Sequence, residues 1–394
     1  KDGQGITAYE VESVYSADLN KEGVLKTEFK HLGSKEAIQG SCDTVNADIL
    51  DQLKEFEPDA QWDNLLSDRA GTVKAYEAVT GFLGFDFIEA GKTMGVSPYG
   101  TKTNDFPSFY DSEYKQWPIT NRNWIVPMYP NGAQINDRLY IDYQKINNEW
   151  AENKFKYDYT VMQDLTYALQ AETQDAVAEM IKKAVEMTGN KKVIVTGGYG
   201  LNCVANYHYL KALEGTGIEI YVEPISNDGG TALGAAFWAH YLGTGEARNI
   251  DPTLYLGPSY SYTDNEIQNI AEKYNAVVTD NSSNEDVIEL ITNKNIVTVF
   301  QGRCENGPRA LGNRSILYDP TDIDGKDFVN TVKRREYFRP FAGSILKEHV
   351  HEWFDLRGMD DTPHMMYAVN CQPGIEEKIP AIIHVDGTCR IQTV

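Results

Sequence analysis

The sequence predicts an α/β protein with a largely parallel sheet, because short apolar runs alternate with helical segments between residues 160 and 245. A long amphipathic helical pattern precedes an apolar run from Lys192 to Thr196, which has the length of a buried strand. A helix is predicted over 201–213, a second strand from Ile218 to Val222, and then an alanine-rich helix that ends near Leu242. This order places loops at the carboxyl ends of neighbouring strands, where α/β proteins bind ligands.

The remaining elements are predicted from shorter patterns. Residues 1–60 contain short alternating runs that predict strands and hairpins, and helical apolar spacing over 70–84 predicts a helix. Residues 101–155 are rich in Asn, Asp, Tyr and Trp and show no clear period. Clustered glycine and proline predict a domain boundary near 250–290, and a strand from Ile296 to Phe300 opens the last region.

Charge and cysteine content exclude several classes of protein. The 36 basic and 58 acidic residues give a net charge of −22, which argues against a general nucleic-acid binder or an anionic membrane surface as partner. No apolar run approaches the ~18 residues of a membrane-spanning helix. Five scattered cysteines without a CxxC pair are typical of free thiols, so we expect a cytoplasmic protein.

Two glycine-framed loops follow the two predicted strands. Gly197 and Gly198 permit backbone N–H groups to approach a phosphate at a helix start. Asp228, with Gly229 and Gly230 beside it, is placed to bind a metal or a nucleotide hydroxyl. Each loop also has a simpler interpretation, a tight turn without ligand for the first and an Asp helix cap for the second.

The basic residues are concentrated in one region. Eight of the 36 lie within 303–339, where an even spread gives about three, and Gly307 and Gly312 frame Arg309. Arginine forks bind phosphate oxygens in pairs, so this region is predicted to bind an anion. Surface ion pairs are the alternative. Arg390 follows a predicted turn near the end of the sequence and is expected to complete the cluster.

Three segments, FQGRCENGPRALGNRSILYDP, FRPFAGSIL and HVDGTCRIQTV, carry a specific resemblance. With them the sequence resembles the O-carbamoyltransferases of the nodulation, cephamycin and tobramycin pathways. The resemblance implies a Kae1-like amino-terminal domain of the actin/Hsp70-like class over 1–255. It also implies a junction over 256–290 and an α+β YrdC-like domain over 291–394.

The resemblance implies an ATP-dependent O-carbamoyltransferase with two steps. Carbamoyl phosphate and ATP first form carbamoyl adenylate, and the carbamoyl group then passes to a hydroxyl of a small-molecule or sugar acceptor. Arg309, Arg339 and Arg390 fall where the family holds carbamoyl phosphate and are the implied catalytic residues. A homodimer is a further expectation, and no nucleic acid or membrane partner is expected.

The resemblance also implies a metal and a set of nucleotide-binding residues. Asp228 falls where the family's aspartate ligates a divalent metal, Fe²⁺, and Mg²⁺ is expected to accompany ATP. The residues implied in nucleotide binding are Lys92, Gly197, Gly198, Asn202, Asn313, Arg314 and Ser315.

The sequence departs from the family pattern at both ends. The family's His-x-x-x-His metal pair lies upstream of a segment like Asp2 to Gly5, and a further motif follows a segment like Arg390 to Val394. The sequence is therefore expected to be a fragment. Two other hypotheses stay open, namely a Kae1-type nucleotide-binding protein of tRNA threonylcarbamoyladenosine-like modification, and a catalytically inactive binding relative.

Overall fold

The chain divides into two compact units, Lys1–Val222 and Glu223–Val394. The computed structural model describes residues 8–18, 24–34, 63–67, 71–104, 108–121, 133–134, 140–141, 159–246 and 253–394. Most of the aromatic region 101–155 and the segment Asp2 to Gly5 lie outside them. Among the described helices, none is both long and apolar enough to cross a bilayer.

The first unit combines short sheets with four helices among its described residues. Its strands are β1 (Ala8–Asp18), β2 (Val24–Ser34), β3 (Asp63–Ser67), β4 (Ala133–Gln134), β5 (Tyr140–Ile141), β6 (Lys192–Val195) and β7 (Glu219–Val222). Its helices are α1 (Thr72–Phe82), α2 (Ala90–Val96), α3 (Tyr159–Thr188) and α4 (Cys203–Ala212). β1 pairs antiparallel with β2, as the alternating runs near the start predicted, and β2 pairs parallel with β3.

Helix α3 is the centre of the first unit. Its Leu165 and Leu169 are buried in one cluster with Val79 of α1, and its Ile181 is buried in another with Tyr209 of α4. Met180 of the same helix is buried in a third cluster with Phe29 and Trp117. Apolar residues recur along α3 at helical spacing, so one long helix contributes to three clusters. Burying a leucine of this kind contributes about 1.5–3 kcal/mol each.

The predicted β–α–β unit is present, but the expectation that its first strand is buried is wrong, because Ile194 on that strand is 68% exposed. β6 and β7 pair in parallel, with Lys192 opposite Glu219 and Val195 opposite Val222, and α4 connects them. The helix predicted over 70–84 is also present as α1. These elements confirm a mixed α/β class. The largely parallel sheet predicted from the sequence is not found among the described strands, which form small sheets with both parallel and antiparallel pairs.

The second unit contains the remaining described elements. Its helices are α5 (Asp228–Thr244), α6 (Asp264–Tyr274), α7 (Asn284–Thr292), α8 (Gly325–Val332) and α9 (Val350–Trp353). Its strands are β8 (Val297–Phe300), β9 (Arg314–Leu317), β10 (Ala342–Ile345), β11 (Phe354–Asp355), β12 (Ala368–Cys371) and β13 (Thr388–Thr393).

Strand β13 lies inside the main sheet of the second unit. The strand order is β10-β13-β12-β11, with β13 parallel to β10 and antiparallel to β12. Strands β8 and β9 form a separate antiparallel pair. An inner strand has hydrogen bonds on both sides, so its backbone is fixed along its length.

The segment 256–290, for which a domain junction is predicted, contains α6 and most of α7. Both α6 and α7 begin with a reciprocal capping box. Glu266 accepts a hydrogen bond from the N–H of Thr263 at 2.8 Å, and Asp286 accepts one from the N–H of Ser283 at 2.7 Å. A Ser or Thr three residues before an acidic residue is the sequence signal that finds such helix starts.

Candidate functional site

The arginine-rich loop that joins β8 to β9 is organised by a single carboxylate. Oε1 of Glu305 accepts hydrogen bonds from the backbone N–H groups of Leu311 at 2.7 Å, Asn313 at 2.9 Å and Arg314 at 3.2 Å. Three converging donors close the loop into a ring around the carboxylate, and Arg309 lies on this ring. Burial alone would raise the pKa of Glu305, but these backbone donors hold its pKa below the usual value.

We expect Glu305→Gln to destabilise the protein by about 1–2 kcal/mol at pH 7, because three hydrogen bonds lose their charged acceptor. A carboxyl whose pKa is lowered by folding contributes stability above its unfolded pKa, and that contribution disappears as pH falls through the folded pKa. Urea unfolding of the wild type and the variant at several pH values measures both effects. Their stabilities should converge in acid.

Glu377→Gln is the matched control, since Glu377 is an exposed carboxylate of the same unit. Its effect should stay within about 0.5 kcal/mol. Equal losses in the two variants at pH 7 would show that the ring of donors around Glu305 contributes nothing.

Two arginines near this loop hold main-chain carbonyls. Arg314 donates from Nη1 to the carbonyl of Gln301 at 2.5 Å, and its Cζ lies 3.7 Å from the ring centroid of Phe300. Arg303 donates from Nη2 to the carbonyl of Leu256 at 2.6 Å and from Nε to that of Gly257 at 2.9 Å. Both guanidinium groups therefore shape the loop.

Asn313 and Ser315, which flank Arg314 and are likewise predicted to bind nucleotide, also form hydrogen bonds with the backbone. Asn313 donates from its amide nitrogen to the carbonyl of Arg303 at 2.7 Å. The Ser315 hydroxyl accepts from the N–H of Gly312 at 3.0 Å. The roles of Asn313, Arg314 and Ser315 in nucleotide binding stay predictions.

A turn after α8 presents the second group of cations. Asn330, 2% exposed, donates from Nδ2 to the carbonyl of Arg339 at 3.0 Å, and its own carbonyl accepts the N–H of Arg335 at 2.9 Å. Arg334 between them has a left-handed φ of +51°, which sharpens the turn. Asn330 thus fixes the backbone on which Lys333, Arg335 and Arg339 stand.

Arg390 stands on the inner strand β13. Its neighbours across the sheet are Ala342 on β10 and Ala368 on β12, so only small side chains flank it in register. The side chain of Gln392, also on β13, donates to the carbonyl of Leu311 at 3.1 Å. This bond ties the loop that carries Arg309 to the strand that carries Arg390.

The turn and the strand bring cations together. Burial and the nearby charges of Arg339 and Arg390 lower the pKa of Arg335 to about 10. Partial burial and the charges of Arg335 and Arg339 also lower the pKa of Lys333. Glu336 approaches Arg339 at 3.7 Å. We call Lys333, Arg335, Arg339 and Arg390 the cation cluster.

The sequence predicts that Arg309, Arg339 and Arg390 converge on one site. Arg339 and Arg390 both lie near Arg335, and the convergence of Arg309 with them stays a prediction. Lys333 and Arg335 belong to the region 303–339 that the sequence predicts to bind an anion, but they are not among the residues implied to hold carbamoyl phosphate. The signal that identifies them is the run Lys333 to Glu336, where three consecutive cations occupy a tight turn.

In the first unit, the loop after β6 is open to ligands. Gly197 has a φ of +87°, and a Cβ added to Gly197 or Gly198 would meet no described atom within 4 Å. Asn202 caps α4 by accepting the N–H of Ala205 at 3.0 Å, and its amide nitrogen donates to Gln170 at 2.9 Å. The glycines thus leave backbone accessible, while Asn202 fixes the start of the helix.

The remaining predicted residues lie on helices. Lys92 on α2 pairs with Glu89 at 2.6 Å. Asp228 is the first residue of α5 and is exposed. Within the described ranges, no group of three or more His, Cys, Asp or Glu side chains is placed to hold a metal ion. A single exposed carboxylate does not make a metal site, so the described residues do not fit the expected iron.

Comparison with known proteins finds two matching family patterns. One, described as "Carbamoyltransferase N-terminus", matches residues 49–237, and the other, "Carbamoyltransferase C-terminus", matches residues 288–394. Together they span most of the chain.

Several known proteins are similar to the chain. "Nodulation protein NolNO" of Sinorhizobium fredii is 31% identical over 329 residues, which cover 79% of this chain and 45% of that protein. "Uncharacterized protein MJ1058" of Methanocaldococcus jannaschii is 31% identical over 328 residues, which cover 81% of this chain and 51% of that protein. "Nodulation protein U" of Rhizobium tropici is 35% identical over 214 residues, which cover 53% of this chain and 34% of that protein. The chain spans about half the length of the curated relatives that match it over most of its residues.

Proposed function

Because the chain belongs to the carbamoyltransferase family, we propose that it is part of an ATP-dependent O-carbamoyltransferase. The observation that carries the proposal is the cation cluster. In a chain of net charge −22, the half-buried Arg335 lies near the half-buried Arg339 and Arg390, and Glu336 is a nearby carboxylate. Such a site favours a compact dianion such as the phosphoryl group of carbamoyl phosphate.

The proposed activation step balances with one water molecule. Water releases phosphate from carbamoyl phosphate and leaves carbamate, whose oxygen attacks the α-phosphorus of ATP and expels pyrophosphate. The product is carbamoyl adenylate, a mixed anhydride with a reactive carbonyl carbon. An acceptor hydroxyl attacks that carbon in the second step, loses its proton and releases AMP. We propose that Arg309, Arg339 and Arg390 bind carbamoyl phosphate for the first step.

The two steps are proposed to belong to two domains. We propose a Kae1-like fold of the actin/Hsp70-like class over 1–255 and a YrdC-like fold over 291–394. Gly197 and Gly198 are proposed to approach the adenylate through backbone N–H groups, with Lys92 and Asn202 near the same nucleotide. The acceptor is proposed to be a small-molecule or sugar hydroxyl. The described residues do not form a metal site, so neither step of the proposed reaction uses a metal. Asp228 is proposed only as one candidate metal ligand.

The test is a mass-spectrometric screen of the full-length protein with carbamoyl phosphate, ATP, Mg²⁺ and a panel of hydroxyl acceptors. We expect products heavier by one carbamoyl group, and carbamoyl-phosphate-dependent exchange of pyrophosphate into ATP without acceptor. Absence of exchange in a protein that binds both substrates would favour a catalytically inactive relative. Modification of a tRNA adenosine instead of a small hydroxyl compound would favour the Kae1-type alternative.

A further inference from the structure

Three aromatic rings form an exposed group in the second unit. Tyr260 and Tyr262 lie between α5 and α6, and Phe300 is the last residue of β8. The centroids of the two tyrosine rings lie 6.4 Å apart, and the Phe300 centroid lies 6.0 Å from that of Tyr260 and 6.4 Å from that of Tyr262. All three residues are more than half exposed. Adjacent exposed rings mark a binding surface, and we call these three residues the aromatic cluster.

The backbone that carries the two tyrosines is fixed on both sides. Before them, the N–H of Gly257 donates to the carbonyl of Cys304 at 2.9 Å, and the N–H of Cys304 donates to the carbonyl of Pro258 at 3.1 Å. After them, the capping box of Thr263 and Glu266 begins α6. Rings on a fixed backbone lose little further conformational freedom when they bind a ligand, which favours a binding role.

The two tyrosine rings suit a planar aromatic ligand. Their planes differ by only 14°, so the rings are nearly parallel. A planar ring inserted between two parallel rings needs about 7 Å from one to the other, because carbon atoms pack at about 3.5 Å. The observed 6.4 Å requires only a small rotation of side chains that are exposed, and stacking on an outer face requires none.

The charge beside the aromatic cluster selects among planar ligands. Arg314 pairs with Phe300 across β8 and β9, and its Cζ lies 3.7 Å from the centroid of the Phe300 ring. A planar, nitrogen-containing group is thus already stacked on the cluster. The positive charge of Arg314 disfavours an organic cation on these rings and favours a ligand that carries phosphate. A nucleotide meets both requirements, because it is anionic and every nucleobase has a π face.

We infer that Tyr260 and Tyr262 bind the base of a nucleotide by stacking. The inference rests on the proposed function for the identity of that base as the adenine of ATP. The loop that ends at β9 carries Arg309, which is proposed to bind carbamoyl phosphate. The aromatic cluster and this loop belong to the same unit. The base therefore has a site on the unit that is proposed to activate the carbamoyl group.

Isothermal titration of ATP and, separately, of inorganic triphosphate into the full-length protein tests the inference. We expect Tyr260→Ala and Tyr262→Ala each to weaken ATP binding about 5- to 150-fold, the range of one lost base-stacking contact. Triphosphate has no base, so its affinity should change less than about twofold in both variants. Tyr262→Phe keeps the ring and should bind ATP like the wild type.

Tyr274→Ala is the matched control. Tyr274 is 68% exposed at the end of α6, and Nζ of Lys273 lies 5.2 Å from its ring centroid. Its replacement removes an equally exposed ring of the same unit from outside the aromatic cluster. The ATP affinity of this variant should stay within about twofold of the wild type.

A thermal-shift measurement separates a binding role from a structural one. Rings that only support the fold would lower the melting temperature without ligand when they are replaced, and the added stabilisation by ATP would persist. For Tyr260→Ala and Tyr262→Ala we expect a melting temperature near that of the wild type without ligand, because both residues are exposed. The added stabilisation by ATP should shrink in these two variants and persist in Tyr274→Ala.

The outcomes distinguish this inference from the proposed function. If both tyrosine variants bind ATP as Tyr274→Ala does, the inference is wrong, and pyrophosphate exchange by the wild type leaves the proposed function standing. Equal losses of ATP and triphosphate affinity also contradict the inference, because the rings would then not bind the base. So does an unchanged ATP affinity with an altered molecular mass in solution, which would assign the aromatic cluster to a contact between chains.

Two further results concern the proposed function itself. If the tyrosine variants lose ATP affinity but the wild type shows no exchange that depends on carbamoyl phosphate, the inference stands and the proposed function is wrong. A wild type that does not bind ATP overturns both.

Discussion

Replacing Arg390 with glutamine should weaken carbamoyl phosphate binding by about 1.5–3 kcal/mol, or roughly 10- to 150-fold. Arg390 stands on an inner strand that is paired on both sides, so the backbone that carries it is fixed. Glutamine is shorter than arginine and neutral, so it replaces neither the charge nor the paired donors of the guanidinium group. Titration of carbamoyl phosphate into the full-length protein measures the change, and pyrophosphate exchange should fall with it.

The control for Arg390→Gln is Arg334→Gln, which removes the same charge from an exposed residue of the same unit and should retain both binding and exchange. Circular dichroism of each variant checks that the sheet is intact. An Arg390→Gln protein that is folded and binds carbamoyl phosphate with wild-type affinity would contradict the assignment of the cation cluster to this substrate.

The substitution Gly230→Ala, two residues after Asp228, should strongly destabilise the protein. A Cβ at position 230 would lie 2.0 Å from the carbonyl oxygen of Ile225, a distance that backbone atoms never tolerate. Ile225 is 2% exposed and belongs to the core of the second unit, so it cannot withdraw without moving that core. We expect a loss of about 3 kcal/mol or more, at the upper end of overpacking effects.

Gly234→Ala provides the comparison on the same helix, α5. A Cβ there meets no atom of the described residues within 4 Å, and alanine is the better helix former, so a gain of about 0.5–1 kcal/mol is expected. Urea unfolding of the two variants measures both values. Losses of similar size would show that helix position, and not the contact with Ile225, governs these glycines.

Local sequence patterns predicted the α/β class and several of its elements. The apolar run near Lys192, the glycine pair after it and the second run near Ile218 predicted β6, the loop and β7, and the parallel pairing confirms the unit. Such patterns succeed because strand and helix periodicity, and the turns that interrupt them, depend on neighbouring residues. The capping boxes of α6 and α7 are also local sequence patterns. They show that the two helices after Gly257 can be predicted from the sequence.

The sequence by itself determined that arginines concentrate near the end of the chain, and their motif indicated the family. It did not determine which of them face one another or which serve the fold. Arg314 and Arg303 hold carbonyl oxygens, whereas Arg335 lies beside Arg339 and Arg390. That division depends on the register of β13 between β10 and β12 and on the turn anchored by Asn330. Both result from pairing between residues distant in sequence, which only the packed structure decides.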